Sequence, residues 1–354
     1  MSDDQVLGSG SLAIIGAPPT SSYGTPVTPT HAIWLAEAPA ATQGANMRDL
    51  SRLATGREQP RNHAMINYDS PIRLRGDFDN YTPGILMGLA LGDDTKSLLT
   101  TGVYQHLIKK VAQDIQLKST SIEVYNGLYP SLVGGFNMDG LAVDNLTFRW
   151  SDGGTWEFEA ECFTNGLVNQ LSGATSSPIE PTSPVWMGGG TQVVISTSVP
   201  SSVTGDPGSG LATVANMGGG SGAGWTNVDW SAACVRGAIR IRNNLKKMYA
   251  GNNTGLVSKI RRGQQKIFID LTLTLDPSTA SIYALLNNIG GANPTEYGMI
   301  VRKVNNLQIS GSYNYGIGGY WPQVQLVSKP QLSTATDRER EFSVTFEVLV
   351  IGVL

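Results

Sequence analysis

Glu157, Glu159 and Glu161 are the residues of this chain best spaced for chemistry. They alternate with Trp156, Phe158 and Ala160, so a strand would set all three carboxylates on one face. A glycoside-cleaving site needs two carboxylates flanking its substrate, one with a raised pKa. Glu159 and Asp139 are the residues that could be asked to serve. Three neighbouring acids on one open strand repel one another, and no apolar pocket accompanies them in the sequence. The pattern suits a solvated face first, an electrostatic lining second, and acid–base catalysis least.

Other chemistry has even less to stand on. His31, His63 and His106 are scattered without metal-ligand spacing. Cys162 and Cys234 are too few for a disulfide framework or a zinc site, and read as small apolar residues. There is no G-x-S-x-G elbow, no Walker A lysine motif, no G-x-G-x-x-G after a strand and no calcium loop. The glycines at 218–224 lead into Trp225 and a polar stretch rather than a helix, which does not suit phosphate binding. The expectation is a protein that is not an enzyme, with no catalytic residue, cofactor or metal.

The elements that carry these residues say more. Pro71–Gly92 and Lys266–Gly290 are alike: an alternating strand, then a cap, a proline and a short apolar helix closed by glycine. In the first, Ile72, Leu74 and Phe78 oppose Arg73, Arg75, Asp77 and Asp79. In the second, Ile267, Ile269, Leu271, Leu273 and Leu275 oppose Phe268, Asp270, Thr272 and Thr274. Thr82-Pro83 and Asp276-Pro277 each supply a cap and a proline at the first helical position. Ile85, Leu86 and Leu89, then Ile282, Leu285, Leu286 and Ile289, follow at helical spacing. Gly92 and Gly290 stand where a left-handed residue ends a helix. Such internal repetition implies a duplicated domain, and duplication suits a symmetric assembly.

The 354 residues are enough for two domains with substantial cores. Only 15% are charged, the formal net charge is −3, and 42 glycines with 18 prolines favour turns over helices. A chain that grips nucleic acid would carry a basic excess; one that lets it pass need not. The apolar run Leu12–Ile15 is too short for a secretory or membrane segment, so the expected compartment is the cytoplasm.

Along the chain, residues 17–70 read as irregular, with Arg48, Arg52, Arg57 and Arg61 in a basic loop. Val103–Ile115 carries a helical stripe. Leu146–Trp150 and Trp156–Cys162 alternate around Ser151-Asp152-Gly153-Gly154, which predicts a hairpin. Residues 167–229 are rich in Gly, Ser, Thr and Pro and read as a linker or loop insertion, with a strand only at Thr191–Val199. Val235–Arg242 alternates, a Gly/Tyr/Asn loop covers 311–319, and a closing hairpin pairs Val324–Val327 with Phe342–Val350. The domains would be 1–166 and 230–354. Leu349 and Ile351 suggest that the last strand is covered on both faces at its end.

The order of these pieces resembles the tail tube (major tail) proteins of long, non-contractile tailed bacteriophages. The likeness rests on Ser21-Ser22-Tyr23-Gly24-Thr25-Pro26, the strand–helix ending Leu91-Gly92, and Tyr125-Asn126-Gly127 leading into the Leu146–Cys162 hairpin. Ile239–Leu245 and Ile260-Arg261-Arg262-Gly263 mark a second copy. The resemblance implies a mainly β fold: two tandem β-sandwiches, each with a short flanking helix, joined by the Gly/Ser-rich segment. It implies subunits joined sheet edge to sheet edge around a lumen, in rings stacked into a tube that conducts the viral DNA without binding it specifically. A duplicated chain would form a homotrimeric, pseudo-sixfold ring, with a homohexamer as the alternative. Partners would be further copies and other tail proteins such as the tape measure and tail terminator, with no membrane. The place would be the virion tail, assembled in the host cytoplasm. Asp77, Asp79, Glu157, Glu159, Glu161 and Asp270 are candidate lumen residues, and the four arginines from Arg48 to Arg61 are candidate inter-ring loop residues. The competing expectation is another structural or carbohydrate-binding β-sandwich of a virion or cell surface, which would need exposed aromatic residues gathered on a platform.

Overall fold

Alternation in the sequence becomes register in the fold. In a computed structural model, the described residues are 11–17, 19–20, 22–37, 39, 44–49, 63–112, 115–126, 135–171, 178–183, 185–196, 227–249, 255–275, 296–310, 313–327, 331–332 and 340–350. They form β1 (Ser11–Gly16), β2 (Pro29–Ile33), β3 (Gly44–Asp49), β4 (His63–Asp69), β5 (Ile72–Asp77), α1 (Thr82–Leu91), β6 (Gly92–Thr100) and β7 (Val103–Lys110). β8 (Thr120–Asn126), β9 (Gly135–Ser151), β10 (Glu157–Phe163), β11 (Asn169–Leu171), β12 (Gln192–Ser196), β13 (Asn227–Asp229) and β14 (Cys234–Arg242) follow. The remainder is β15 (Lys246–Tyr249), β16 (Val257–Arg261), β17 (Lys266–Leu275), β18 (Glu296–Ser310), β19 (Tyr313–Leu326), β20 (Gln331–Leu332) and β21 (Arg340–Val350). The fold is mainly β, as expected. Among the described residues no helix is long and apolar enough to cross a membrane.

One order of pairing occurs twice. It runs β2–β1–β8–β9–β10–β5 among the earlier strands and β13–β12–β18–β19–β21–β17 among the later ones. In each set the chain then returns to the side of the last-named strand. Ala36 N donates to Arg75 O beside β5 (2.8 Å), and β14 pairs along β17. In each set a two-stranded hairpin, β3–β4 or β15–β16, stands just before that strand. β14 also pairs with β9, from Arg236↔Ser151 to Arg242↔Asn145, so the two strand sets share one continuous sheet.

The long strand β9 makes this possible by changing partners. Its first part pairs with β8 and its second with β10 and β14. The apolar members of the second part face inward with their neighbours: Leu146 and Phe148 of β9, Phe158 and Ala160 of β10, Leu74 of β5, Ile239 and Ile241 of β14, Ile269 and Leu271 of β17, and Val344 and Phe346 of β21 are all buried in one core. Burial of this kind contributes about 25 cal/mol for each Å² of apolar surface removed from water. The aromatic centre is Phe78 edge-on to Phe148 (4.9 Å) and Trp150 stacked on Trp156 (4.6 Å).

α1 packs on β9. Pro83 lies in its first turn and Gly92 closes it with φ 97°, a left-handed conformation that glycine adopts without strain. Its N-terminal cap comes from outside the expected dipeptide. The Asp79 carboxylate accepts from Tyr81 N (2.7 Å), Thr82 N (2.6 Å) and Thr82 Oγ1 (2.5 Å).

Several local expectations are corrected. Val103–Lys110 is strand β7, because the left-handed Gly102 turns it back on β6 in register Lys96↔His106, and its stripe serves a hairpin instead of a helix. Residues 17–70 include β2, β3 and β4, whose weak alternation hid them. The Gly- and Tyr-rich stretch from residue 313 onward lies within β19, paired with β18. Within 167–229, β12 forms where a strand was expected, β11 and β13 add to the sheet, and Trp186 is buried beside Phe78. Leu349 is exposed rather than covered (44%). The expected helix over 276–290 and Ile351 lie outside the described residues.

Candidate functional surface

The opposite face of the same sheet is polar, and the register lines its side chains into rows across six strands. One row runs Arg75 (β5), Glu159 (β10), Thr147 (β9), Arg240 (β14), Phe268 (β17), Glu347 (β21). The next runs Asp77, Glu157, Arg149, Ala238, Asp270, Thr345. A third runs Arg73, Glu161, Asn145, Arg242, Lys266. Each row passes through the β9–β14 junction without interruption.

Opposite charges meet between rows. Glu159 takes Arg73 at 2.6 Å and Arg149 at 3.1 Å. Arg75 reaches Glu157 (3.4 Å), and Asn145 Nδ2 donates to Glu161 (2.6 Å). On the later strands Arg240 pairs with Asp270 (2.5 Å), Arg236 with Glu341 (3.3 Å) and Lys266 with Glu347 (3.2 Å). Thr345 Oγ1 also donates to Asp270 (2.7 Å). Phe268, the aromatic member of its row, lies beneath the guanidinium of Arg240 at 5.4 Å, a favourable cation–π arrangement. Arg73, Arg75, Arg149, Arg236, Arg240, Arg242 and Lys266 balance Asp77, Glu157, Glu159, Glu161, Asp270, Glu341 and Glu347 one for one.

The fold places Asp77, Glu157, Glu159, Glu161 and Asp270 on one face of the sheet. It removes Asp79 from that set: Asp79 is buried (1%) and spends its carboxylate capping α1, because β5 ends at Asp77 and the alternation stops there. Burial raises the Asp79 carboxyl above its usual range, against the lowering effect of its hydrogen bonds. The wall is also not the acidic surface the three glutamates suggested by themselves. Their basic partners come from strands distant in sequence, and only the register brings Arg149 and Arg73 together around Glu159. Sequence reasoning left out Arg236, Arg240 and Arg242; their alternation with Ile239 and Ile241 was the available signal.

Of the basic-loop residues, Arg48 lies on β3, and Arg52, Arg57 and Arg61 lie outside the described residues. Asp139 accepts from Ser121 Oγ (2.5 Å), while both carboxylate oxygens of Glu159 are engaged by arginines. Cys162 is buried and Cys234 half-buried; burial pushes the Cys234 thiol up to about 12 and raises that of Cys162 further. Among the described residues no three His, Cys, Asp or Glu side chains cluster to hold a metal.

The β9–β14 junction is the surface's central seam. On the core side Gly237 lies against the indole of Trp150, its partner across the pair. At its end, Asn243 Nδ2 donates to Ala90 O at the close of α1 (3.0 Å) and to Val143 O of β9 (2.8 Å), and Asn243 Oδ1 accepts from Gln265 Nε2 (2.5 Å). Asn243 N donates to Asp144 O and Leu245 N to Asp144 Oδ1. No protein-family model and no curated protein sequence matches the chain.

Proposed function

We propose that this chain is a structural subunit of a bacteriophage tail tube, built from two copies of one domain and forming rings whose polar wall faces a DNA-conducting lumen. The observation that carries it is the six-stranded sheet crossing from one strand set to the other with a charge-balanced face. Two sets with one pairing order, joined edge to edge, are two steps of a closing ring, and a closed ring leaves no unpaired sheet edge. A wall that passes DNA must not hold it. Phosphates bind where cationic side chains are free to neutralise them, and here arginines are turned onto carboxylates of the same wall.

In this proposal three chains make a pseudo-sixfold ring, rings stack into a tube in the virion tail, and tape measure and terminator proteins are its partners. The carbohydrate-binding alternative would draw on Trp186, Trp225, Trp230 and Trp321: Trp186, Trp230 and Trp321 are core residues, buried to 4% or less, and cannot form a sugar platform, while Trp225 lies outside the described residues. Negative-stain microscopy of the purified chain should show rings or stacked tubes, and the mass of a solubilised ring should equal three chains. Six chains would refute the trimer. Monodisperse monomers under all assembly conditions would overturn the tube itself.

A further inference from the structure

We propose that neighbouring copies of this chain meet by repeating its own β9–β14 junction, with the Trp34–Ala36 border beside β5 of one copy pairing with the Val327–β20 border beside β21 of the next. The inference rests on the tube reading above and specifies which surfaces close the ring.

The recurring pairing order supplies the correspondence. β14 lies beside β17; in the earlier set the chain segment in that place, beside β5, is Trp34–Ala36. It is held close: Ala36 N donates to Arg75 O, and a Cβ on Gly76 would stand 2.0 Å from Trp34 O. The other member of the junction is the part of β9 that continues its hairpin with β10. Its counterpart alongside β21 follows the end of β19, which pairs with β21 from Gln323↔Val350 to Leu326↔Phe346: it continues at Val327, whose N–H donates to Thr345 O (2.8 Å), and resumes in β20 with Gln331↔Ser343 and Leu332↔Phe342.

Inside the chain these two kinds of border satisfy each other over seven consecutive register pairs, Arg236↔Ser151 to Arg242↔Asn145. At the two ends of the six-stranded sheet each is left with one partner. Among the described residues no further strand pairs with Trp34–Ala36, and β20 pairs only with β21. Both borders expose apolar surface, Trp34 at 37% and Val327 at 53%. An open edge on a sheet with one buried face is a template for another strand. The occupant argued for is a second copy, because the chain already contains the complementary pair as a joined seam. The contact is head to tail, so it closes into a ring or runs on as a filament.

The test is cross-linking in the full-length chain. Ala36 and Val327 are exposed, native Cys162 is buried, and the half-buried Cys234 is replaced by Ser in every variant, so Ala36→Cys with Val327→Cys and a short bis-maleimide reports proximity between copies. In the ring fraction the double variant should give a covalent ladder ending at the ring's own chain number, and each single variant should give none. Val327→Arg should abolish rings while leaving the thermal melt of the monomer unchanged. Rings that form without the cross-link, or that tolerate Val327→Arg, would overturn these borders and leave the tube standing. A wild-type chain that makes no rings would overturn both.

Discussion

Gly237 lies directly under the indole of Trp150, its register partner across the seam between the two strand sets, so closely that a Cβ there would stand 2.2 Å from the ring. Trp150 cannot move aside freely, because it stacks on Trp156, whose Nε1 donates to Thr191 Oγ1 (2.9 Å). One missing side chain thus sets the spacing of three elements.

Gly237→Ala should therefore destabilise the fold by about 1–3 kcal/mol, the usual cost of forcing extra volume into a packed core. The urea midpoint is the measurement. Unchanged stability would mean that Trp150 relaxes into space the packing does not show.

At the other end of the seam, Asn243→Ala removes the donor shared by Ala90 O and Val143 O, and the acceptor of Gln265 Nε2. Ala90 O keeps its bond from Gln265 (3.2 Å); Val143 O loses its side-chain donor. Leaving buried polar groups unmet costs about 1–3 kcal/mol. Asn243→Asp should be at least as harmful, since a carboxylate would face two carbonyl oxygens. Chemical denaturation of both variants checks the order.

Sequence patterning foretold the strands that carry this seam better than it foretold the seam. Ile239 and Ile241 alternate with Arg240 and Arg242, and Leu146, Phe148 and Trp150 alternate too, so both strands and their buried faces were legible. Their adjacency was not, because it depends on register between segments some ninety residues apart (Trp150 and Gly237 are one such pair). The same holds for charge. Three glutamates in a row look like an acidic stripe until Arg73 and Arg149 are brought beside Glu159. β7 failed for a different reason: a run such as Val103, Leu107, Ile108 and Val111 fits a helical stripe, and its fate was decided by the turn at Gly102. Asp79 was misassigned because the alternation was extended two residues past the end of β5, into the cap of α1.

That buried cap gives a pH signature. The folded Asp79 carboxyl is raised above its usual value, so the native state binds a proton more readily than the unfolded chain does. The contribution of this group to stability is then fully present below the unfolded value near ~4 and is lost as pH rises through the folded one. Asp79→Asn cannot titrate. The stability of the wild type relative to Asp79→Asn should increase as pH falls from 7 towards 4, followed by denaturant melts at each pH. A constant difference would show that the carboxyl is not raised.

Glu159 tests the proposed conduit most directly. It stands between Arg73 and Arg149 on the polar wall, with its side chain 16% exposed and theirs more than half exposed. Pairs of this kind contribute only about 0–1 kcal/mol, so Glu159→Gln should fold and assemble nearly as the parent does. What changes is the field: two guanidiniums lose their carboxylate and become available to phosphate. Glu157→Lys, Glu159→Lys and Glu161→Lys together would tip the balanced wall strongly positive. Tubes of the triple variant should still form yet retain double-stranded DNA, with binding that weakens steeply as salt rises, and particles carrying it should eject DNA slowly. Glu159→Gln should lie between the triple variant and the parent. If the triple variant assembles and ejects at the parental rate, this wall does not face the DNA, and the lumen must be lined by another surface of the chain.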